Sequence, residues 1–291
     1  MRSLGSIKFS GINFYCILAA KIVDSMIGAG FLRNLFGRRT LLYQLVRRDY
    51  EQRFVGSSAG WLWGMIHPMV MIASWTIVFQ FFMKSDVSPG EVTDNYVLFL
   101  ICGYLPWMLF SETLQRSATS LLDQSNLITK TVFPSELIPI SIFLSALLNH
   151  LLALSLALLP ILYWQGELSP MILMLPVYMV LIGLMGIGLG WVVASLQVYL
   201  RDTAQMLMVV LTFWFWMTPI FISTDKVPER FQFLIRGNPM SYVVKAYRER
   251  LLSMRAPNLH ELMFVTVAAC VLFIIGGLFF KQLKRGFADV L

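Results

Sequence analysis

His150 stands beside Asn149 near the centre of a long apolar stretch. Ionisable groups at membrane depth are costly and default to a functional assignment, the plainer account here being a hydrogen bond between helices. The chain has 3 His in all, and none stands in metal-ligand spacing with an acid, so no metal site is expected. Asp49 and Glu51 are close in sequence, but they fit a solvated helix face. A transferase acting on lipid-linked sugars would need acids or His clustered at one face to activate a nucleophile or hold a metal. A secondary transporter would need a relay of carboxylates and His. Neither pattern is present, and no catalytic residue is expected.

Phosphate chemistry is missing as well. No GxxxxGK[ST] loop occurs, so ATP hydrolysis is not expected of this chain. Gly183, Gly186, Gly188 and Gly190 lie inside an apolar run, with no strand before them, and are expected to let another helix approach closely. Cys16, Cys102 and Cys270 are an odd number without short spacing, which argues against a disulfide framework or a zinc site. Aromatic residues, 14% of the chain, are the one rich resource. Phe213, Trp214, Phe215 and Trp216 are consecutive, and Tyr104 and Trp107 share a helix face. Rings pack well on the C–H faces of sugars, so Tyr104, Trp107, Phe213 and Trp216 are the candidates for a substrate path.

The elements that must position these residues follow from composition. Apolar residues make up 57% and charged residues 13% of the 291, against roughly 25% charged in soluble domains. So few charges cannot cover so much apolar side chain in water, and a soluble enzyme is excluded. The expected class is an all-α polytopic membrane protein. A spanning helix needs roughly 20 apolar residues, and stretches near 64–83, 96–115, 137–164, 170–197, 207–221 and 262–280 give six transmembrane helices. Residues 1–63 carry Arg2, Lys8, Lys21, Arg33, Arg38, Arg39, Arg47, Arg48 and Arg53, and the apolar run Ile12 to Ala20 is too short and ill-flanked for a cleavable signal. The first outer loop has Lys84 alone against Asp86, Glu91 and Asp94. The positive-inside rule therefore places both the N-terminal region and the tail 281–291 in the cytoplasm. This distribution also sets the net charge of +7 against membrane lipid, not nucleic acid.

Two segments are expected to be helices that do not span. In 40–54, Leu42, Val46, Tyr50 and Phe54 recur every four residues with charges on the other faces, the pattern of an amphipathic helix in the cytoplasmic interface. Between spans two and three, Leu114, Ala118, Leu121 and Leu122 form a stripe over 111–125. That connector is far longer than the roughly 2–8 residues of a plain helix hairpin, and it is expected to dock against a partner. The loop 222–260 is basic although outside; short helices dipping back into the membrane, with basic residues near lipid headgroups, would account for it.

Four stretches in order carry a family resemblance. They are Leu45-Val46-Arg47-Arg48-Asp49-Tyr50 with Gly60-Trp61-Leu62-Trp63 and His67-Pro68; Cys102-Gly103-Tyr104-Leu105-Pro106-Trp107 leading to Phe133-Pro134; Tyr199-Leu200-Arg201-Asp202; and Thr218-Pro219-Ile220 with Asn238-Pro239-Met240 and Tyr247-Arg248. The chain resembles the permease subunit of type-2 ABC exporters, in the branch that exports polysaccharides or polyol phosphates such as O-antigen, capsule or teichoic-type polymers. The resemblance implies two copies of this permease with two copies of a separate ATPase, which would bind ATP and Mg. It implies outward movement of a lipid-linked glycan across the cytoplasmic (inner) membrane, with spans one, two and five opening the path. The helix 40–54 would be the interface helix and the connector the coupling helix, giving Arg47, Arg48, Asp49, Arg53, Arg116, Leu121, Leu122 and Asp123 as candidate contacts to the ATPase. The loop 222–260 would hold re-entrant extracellular helices, and Asp202 with Arg201 is read as a cap on a cytoplasmic helix turn. Rival readings are the same architecture carrying a drug or simple lipid, and a membrane glycan transferase.

Overall fold

The computed structural model describes residues 37–58, 60–130 and 133–290. The expectations for Arg2, Lys8, Lys21, Arg33, Cys16 and the run Ile12 to Ala20 lie outside the described residues. Helices make up most of the described residues, among which there is no strand. In chain order the helices are α1 (Arg39–Phe54), α2 (Trp63–Thr76, continued as a π-helix over Ile77–Phe82), α3 (Tyr96–Asp123), α4 (Ser125–Lys130), α5 (Leu137–Gln165), α6 (Leu175–Tyr199), α7 (Thr203–Met217), α8 (Gln232–Arg236), α9 (Pro239–Leu252), α10 (Leu259–Leu283) and α11 (Phe287–Val290).

Five helical stretches are long and apolar enough to cross a membrane: Gly60–Phe82, Tyr96–Asp123, Leu137–Gln165, Pro170–Tyr199 and Leu259–Gly286. α7 is apolar but has only 15 residues, about 22 Å at 1.5 Å per residue. The expected fifth span, 207–221, therefore divides: its helix ends at Met217, and Thr218, Ile220 and Phe221 are buried as irregular chain.

Polar residues mark several starts. Asn95 accepts from the backbone N–H of Val97 at 2.9 Å and of Leu98 at 3.3 Å, opening α3. Asn238 and Asn258 cap α9 and α10 in the same way, and each satisfies a backbone donor that the helix itself cannot. Gly166 closes α5 with a φ of 78°, a conformation that suits glycine.

The core sits between α3, α5 and α6, with α10 packed closely on α6. Small residues permit it: a Cβ on Gly188 would lie 2.5 Å from the Leu272 carbonyl oxygen, and one on Gly276 would collide with the Gly188 carbonyl. On the other side of α6, a Cβ on Gly186 would meet Thr113 at 3.1 Å and one on Gly190 would meet Ser117 at 2.9 Å. The expected close helix approach holds on both faces, with backbone contact where no hydrophobic force can drive association. His150 has the plainer role, its Nε2 standing 3.2 Å from the Tyr247 hydroxyl and so tying α5 to α9.

Three local expectations are corrected. The stretch 111–125 is no separate connector helix: α3 runs unbroken to Asp123, because its stripe of Leu114, Ala118 and Leu121 continues the face buried earlier in the same helix. Asp202 begins α7 without a side-chain capping bond. Gln197 spans that turn instead, donating to the Arg201 carbonyl and accepting from the Ala204 N–H, each at 2.7 Å. The basic loop 222–260 does contain two short helices, α8 and α9, but Arg248 and Arg250 are buried, because backbone carbonyls of Phe99, Ile220 and Arg255 accept their hydrogen bonds.

Candidate functional site

α1 packs along α5 and reaches the C-terminal half of α3. Its buried anchor is Leu45, with Leu41 and Leu42 against the core. Asp49 and Arg53 stand four apart on α1, and Glu112 and Arg116 four apart on α3, so each pair projects from one helix face. The two pairs face each other with opposite order. Arg116 grips Asp49 with both terminal nitrogens, at 2.6 and 2.9 Å, and Arg53 pairs with Glu112. Arg53 also stands 3.8 Å from Asp49. The four side chains are only 10–28% exposed, which places them in the range where paired charges hold well but a lost partner is costly. Burial holds the Arg53 guanidinium below its ordinary range; Arg116 adds to this, while Glu112 and Asp49 oppose it.

The candidate ATPase contacts therefore divide. Asp49, Arg53 and Arg116 face one another in this ladder. Arg48, Asp49, Arg116 and Asp123 line one depression of about 450 Å³, closed on another side by Asn126 and Leu127 of α4. Arg47 is exposed and pairs with Glu51 at 2.7 Å. Leu121 is in the core with no exposed surface, while Leu122 is half-buried beside it. Glu112 was missed as a partner for Arg53; its i,i+4 spacing to Arg116, matching that of Asp49 to Arg53, was the available signal.

The four aromatic candidates also divide. Tyr104 and Trp107 are 8% and 4% exposed, whereas Phe213 and Trp216 are 64% and 55% exposed. Trp75 of α2 meets Tyr104 edge-on at 4.8 Å and Phe215 of α7 at 5.5 Å, and Trp107 lies 5.5 Å from Phe215 and 6.3 Å from Trp214. Offset and edge-on ring pairs of this kind add about 0.5–1.5 kcal/mol each beyond burial. The rings thus join α2, α3 and α7 into one unit, with Phe213 and Trp216 on its open side. Trp214 is further fixed by donating to the Asn238 side chain at 2.9 Å, which in turn donates to Thr218 at 3.0 Å. Among the described residues no group of acids, Cys and His could hold a metal ion.

The arrangement is one of levers and packing: a charged helix latched to a bundle, and a ring cluster reaching from that bundle to an exposed aromatic face. Known proteins resemble the chain in sequence. The chain is 28% identical to the O-antigen export system permease protein RfbA of Myxococcus xanthus, over 89% of this chain and 98% of that one. It is 26% identical to the protein of the same name from Klebsiella pneumoniae, over 86% and 95%. It is 20% identical to the capsule polysaccharide export inner-membrane protein CtrC of Neisseria meningitidis, over 88% and 96%. The sequence pattern described as ABC-2 type transporter matches residues 40–252, which takes in the latch, the ring cluster and α9, and the chain belongs to that family.

Proposed function

We propose that this chain is the membrane-spanning subunit of an ATP-driven exporter that moves a lipid-linked cell-surface polysaccharide outward across the cytoplasmic membrane. The observation that carries the reading is the continuity of the two halves of α3. Its C-terminal half is latched to α1 by the Asp49–Arg116 and Arg53–Glu112 pairs, and Tyr104 and Trp107 of the same helix meet the rings of α2 and α7. A displacement of α1 is thereby passed to the helices that carry Phe213 and Trp216. The names of the relatives, which match nearly their whole length, support the polysaccharide as cargo.

In this proposal α7 with Thr218–Phe221 is the fifth of six spans, residues 1–63 and the tail 281–291 are cytoplasmic, and 64–280 is the transmembrane domain. α1 is the interface helix, the end of α3 with α4 is the coupling element, and α8 and α9 are the re-entrant helices. Two copies pair, and two copies of a separate ATPase bind ATP and Mg. The pairing has support in the first span, where only 6% of the most apolar stretch is buried, against 83% in α3. Phe213 and Trp216 would line the path between copies, with Tyr104 and Trp107 shaping it from behind. The depression bounded by Arg48, Asp49, Arg116 and Asp123, with exposed Arg47 and half-buried Leu122 nearby, would receive the ATPase.

The test is purification of the tagged chain from its native host in mild detergent, with mass spectrometry of what accompanies it. An ATP-binding subunit in equal amount is expected, and depletion of the pair should strand a lipid-linked glycan inside the cell. A stable chain that reproducibly brings no ATPase would break the exporter reading; unaltered surface glycan after depletion would break the choice of cargo.

A further inference from the structure

A cavity of about 600 Å³ opens between α1, the start of α2, α3 and α5, with Gln52, Arg53, His67, Gln115 and Asn149 in its wall. A second cleft, of about 550 Å³, runs between α2, α3 and α5 and is apolar, lined by Met69, Ile72, Leu156, Ala157 and Pro160 among others. Pro68 and Tyr104 line both, so the polar cavity adjoins the apolar cleft. Two buried polar groups in the polar part lack partners. Arg53 is nine-tenths buried; Nη1 serves Glu112 and Nε stands 3.8 Å from Asp49, too far for a hydrogen bond, while Nη2 makes none. The Asn149 Oδ1 likewise has none. Buried donors and acceptors left unpaired cost about 1–3 kcal/mol each, more for a charged group, which points to an occupant that supplies their complements.

That occupant must offer an anionic oxygen to Arg53, a hydroxyl or equivalent donor to Asn149, and a hydrocarbon chain to the cleft. We propose that the adjoining cavities form a binding site for a lipid phosphate monoester, with its phosphate against Arg53 and Asn149 and its tail along α2 and α5. Arginine is well suited to the phosphate, since its planar donors reach two oxygens at once. The opposing charge is local and already engaged: Glu112 is held by Arg53 Nη1, and Asp49 is clamped by Arg116 while standing 3.8 Å from Arg53 Nε, which leaves Nη2 to face the phosphate. The site needs only that the chain lie in a membrane, so it stands or falls apart from the polysaccharide reading.

The experiment uses the full chain in detergent, stripped of lipid and then exposed to defined probes, with retained adducts read by native mass spectrometry. The probes are phosphatidic acid, an isoprenoid monophosphate, diacylglycerol, the matching isoprenol, and inorganic phosphate. Both phosphate lipids should be retained about tenfold better than their dephosphorylated counterparts, a difference of about 1.4 kcal/mol. The Asn149→Leu and Arg53→Gln variants should lose that preference, and Arg47→Gln, on the exposed side of the same helix, should keep it. Ala73→Trp, which adds bulk to the cleft from an exposed position, should weaken retention of lipids with either head. Should Arg53→Gln not fold, Asn149→Leu leaves the ion pairs intact and decides the matter. Equal retention of phosphate and alcohol lipids by the unaltered chain, or full preference in the Asn149→Leu variant, would overturn the head-group site. Competition by inorganic phosphate as effective as that by the lipids would overturn the tail cleft. If phosphatidic acid and the isoprenoid phosphate bind alike, head chemistry alone selects; a marked preference for one identifies the tail, and both support the site.

Discussion

Two arginines, Arg53 and Arg248, sit buried near opposite halves of α3, and they are held in opposite ways. Arg53 pairs with the Glu112 carboxylate and lies near that of Asp49. Arg248, 4% exposed, has no carboxylate bound among the described residues; Nε donates to the Phe99 carbonyl at 3.1 Å and Nη2 to the Ile220 carbonyl at 2.8 Å. Its guanidinium also lies 3.4 Å from the centre of the Phe99 ring, an arrangement favourable to a cation that has given up water. Carboxylates on flexible side chains can exchange partners as helices slide, whereas carbonyls are fixed to the backbone. The Arg53 end of α3 is therefore built as a joint and the Arg248 end as a weld. On the proposed function, α9 would move with α3 and α1 would move against it.

The largest expected effect tests the weld. Arg248→Leu leaves two buried carbonyls without their charged donor and should cost about 3 kcal/mol or more of stability, seen as a sharp fall in the melting temperature of the purified protein. Arg248→Lys keeps the charge but cannot span both carbonyls, and should recover only part of the loss. If Arg248→Leu melts like the unaltered chain, the weld is not one. Gly103→Ala approaches the same point from the other side: its Cβ would fall 2.6 Å from Arg248 Nη2. Displacing a well-packed group of this kind costs about 1–3 kcal/mol, so this variant should melt below the unaltered chain but above Arg248→Leu.

At the joint, stability should change less and transport more. Asp49→Asn and Arg116→Gln each break a part-exposed pair, and a double-mutant cycle should show coupling of about 1–2 kcal/mol. The exchanged pair Asp49→Arg with Arg116→Asp should restore part of the export lost by either reversal alone, since the joint needs complementarity, not a fixed order of charges. Additive stability changes in the cycle, or no rescue by the exchange, would remove the latch from the mechanism.

Five of the six expected spans were legible because bilayer length is written directly into composition. The glycine positions were legible too: Gly186, Gly188 and Gly190 stand on α6 where only small residues could serve two helix contacts, with Thr113 and Ser117 on one side and Leu272 on the other. Asp49, Arg53 and Arg116 stood out in the sequence as candidates, but their pairings did not. Arg47, Arg53 and Arg116 look alike in sequence, yet one is exposed, one is buried against Glu112 and one clamps Asp49. Which face of a helix meets a neighbour depends on rotation about its axis, and helices apolar on all sides carry no pattern that sets it. The same uncertainty hid that Trp107 is buried in the ring cluster whereas Trp216 is exposed. The burial of Arg248 had no sequence signal, because its partners are backbone carbonyls that any residue possesses.

The smallest effect concerns a third cation, which marks the other limit of the comparison. Lys245 stands one turn before Arg248 on α9 but pairs with Glu261 of α10 at 2.6 Å, with its side chain 51% exposed. Burial lowers its pKa, but the hydrogen bond and the charges of Glu261, Glu249 and Glu91 outweigh that, so it is raised above the ordinary value of 10.5. A group whose pKa is raised by folding contributes stability fully present below its unfolded value and lost as pH rises through its folded one. Solvent screening keeps that contribution to a few tenths of a kcal/mol. The melting difference between Lys245→Met and the unaltered chain should therefore be small, constant from about pH 7 to pH 9 given an unfolded lysine near 10.4, and smaller still in high salt. A salt-resistant loss as large as that of Arg248→Leu would show that exposure does not separate these cations. The distinction between weld, joint and surface pair would then have to rest on something other than access to water.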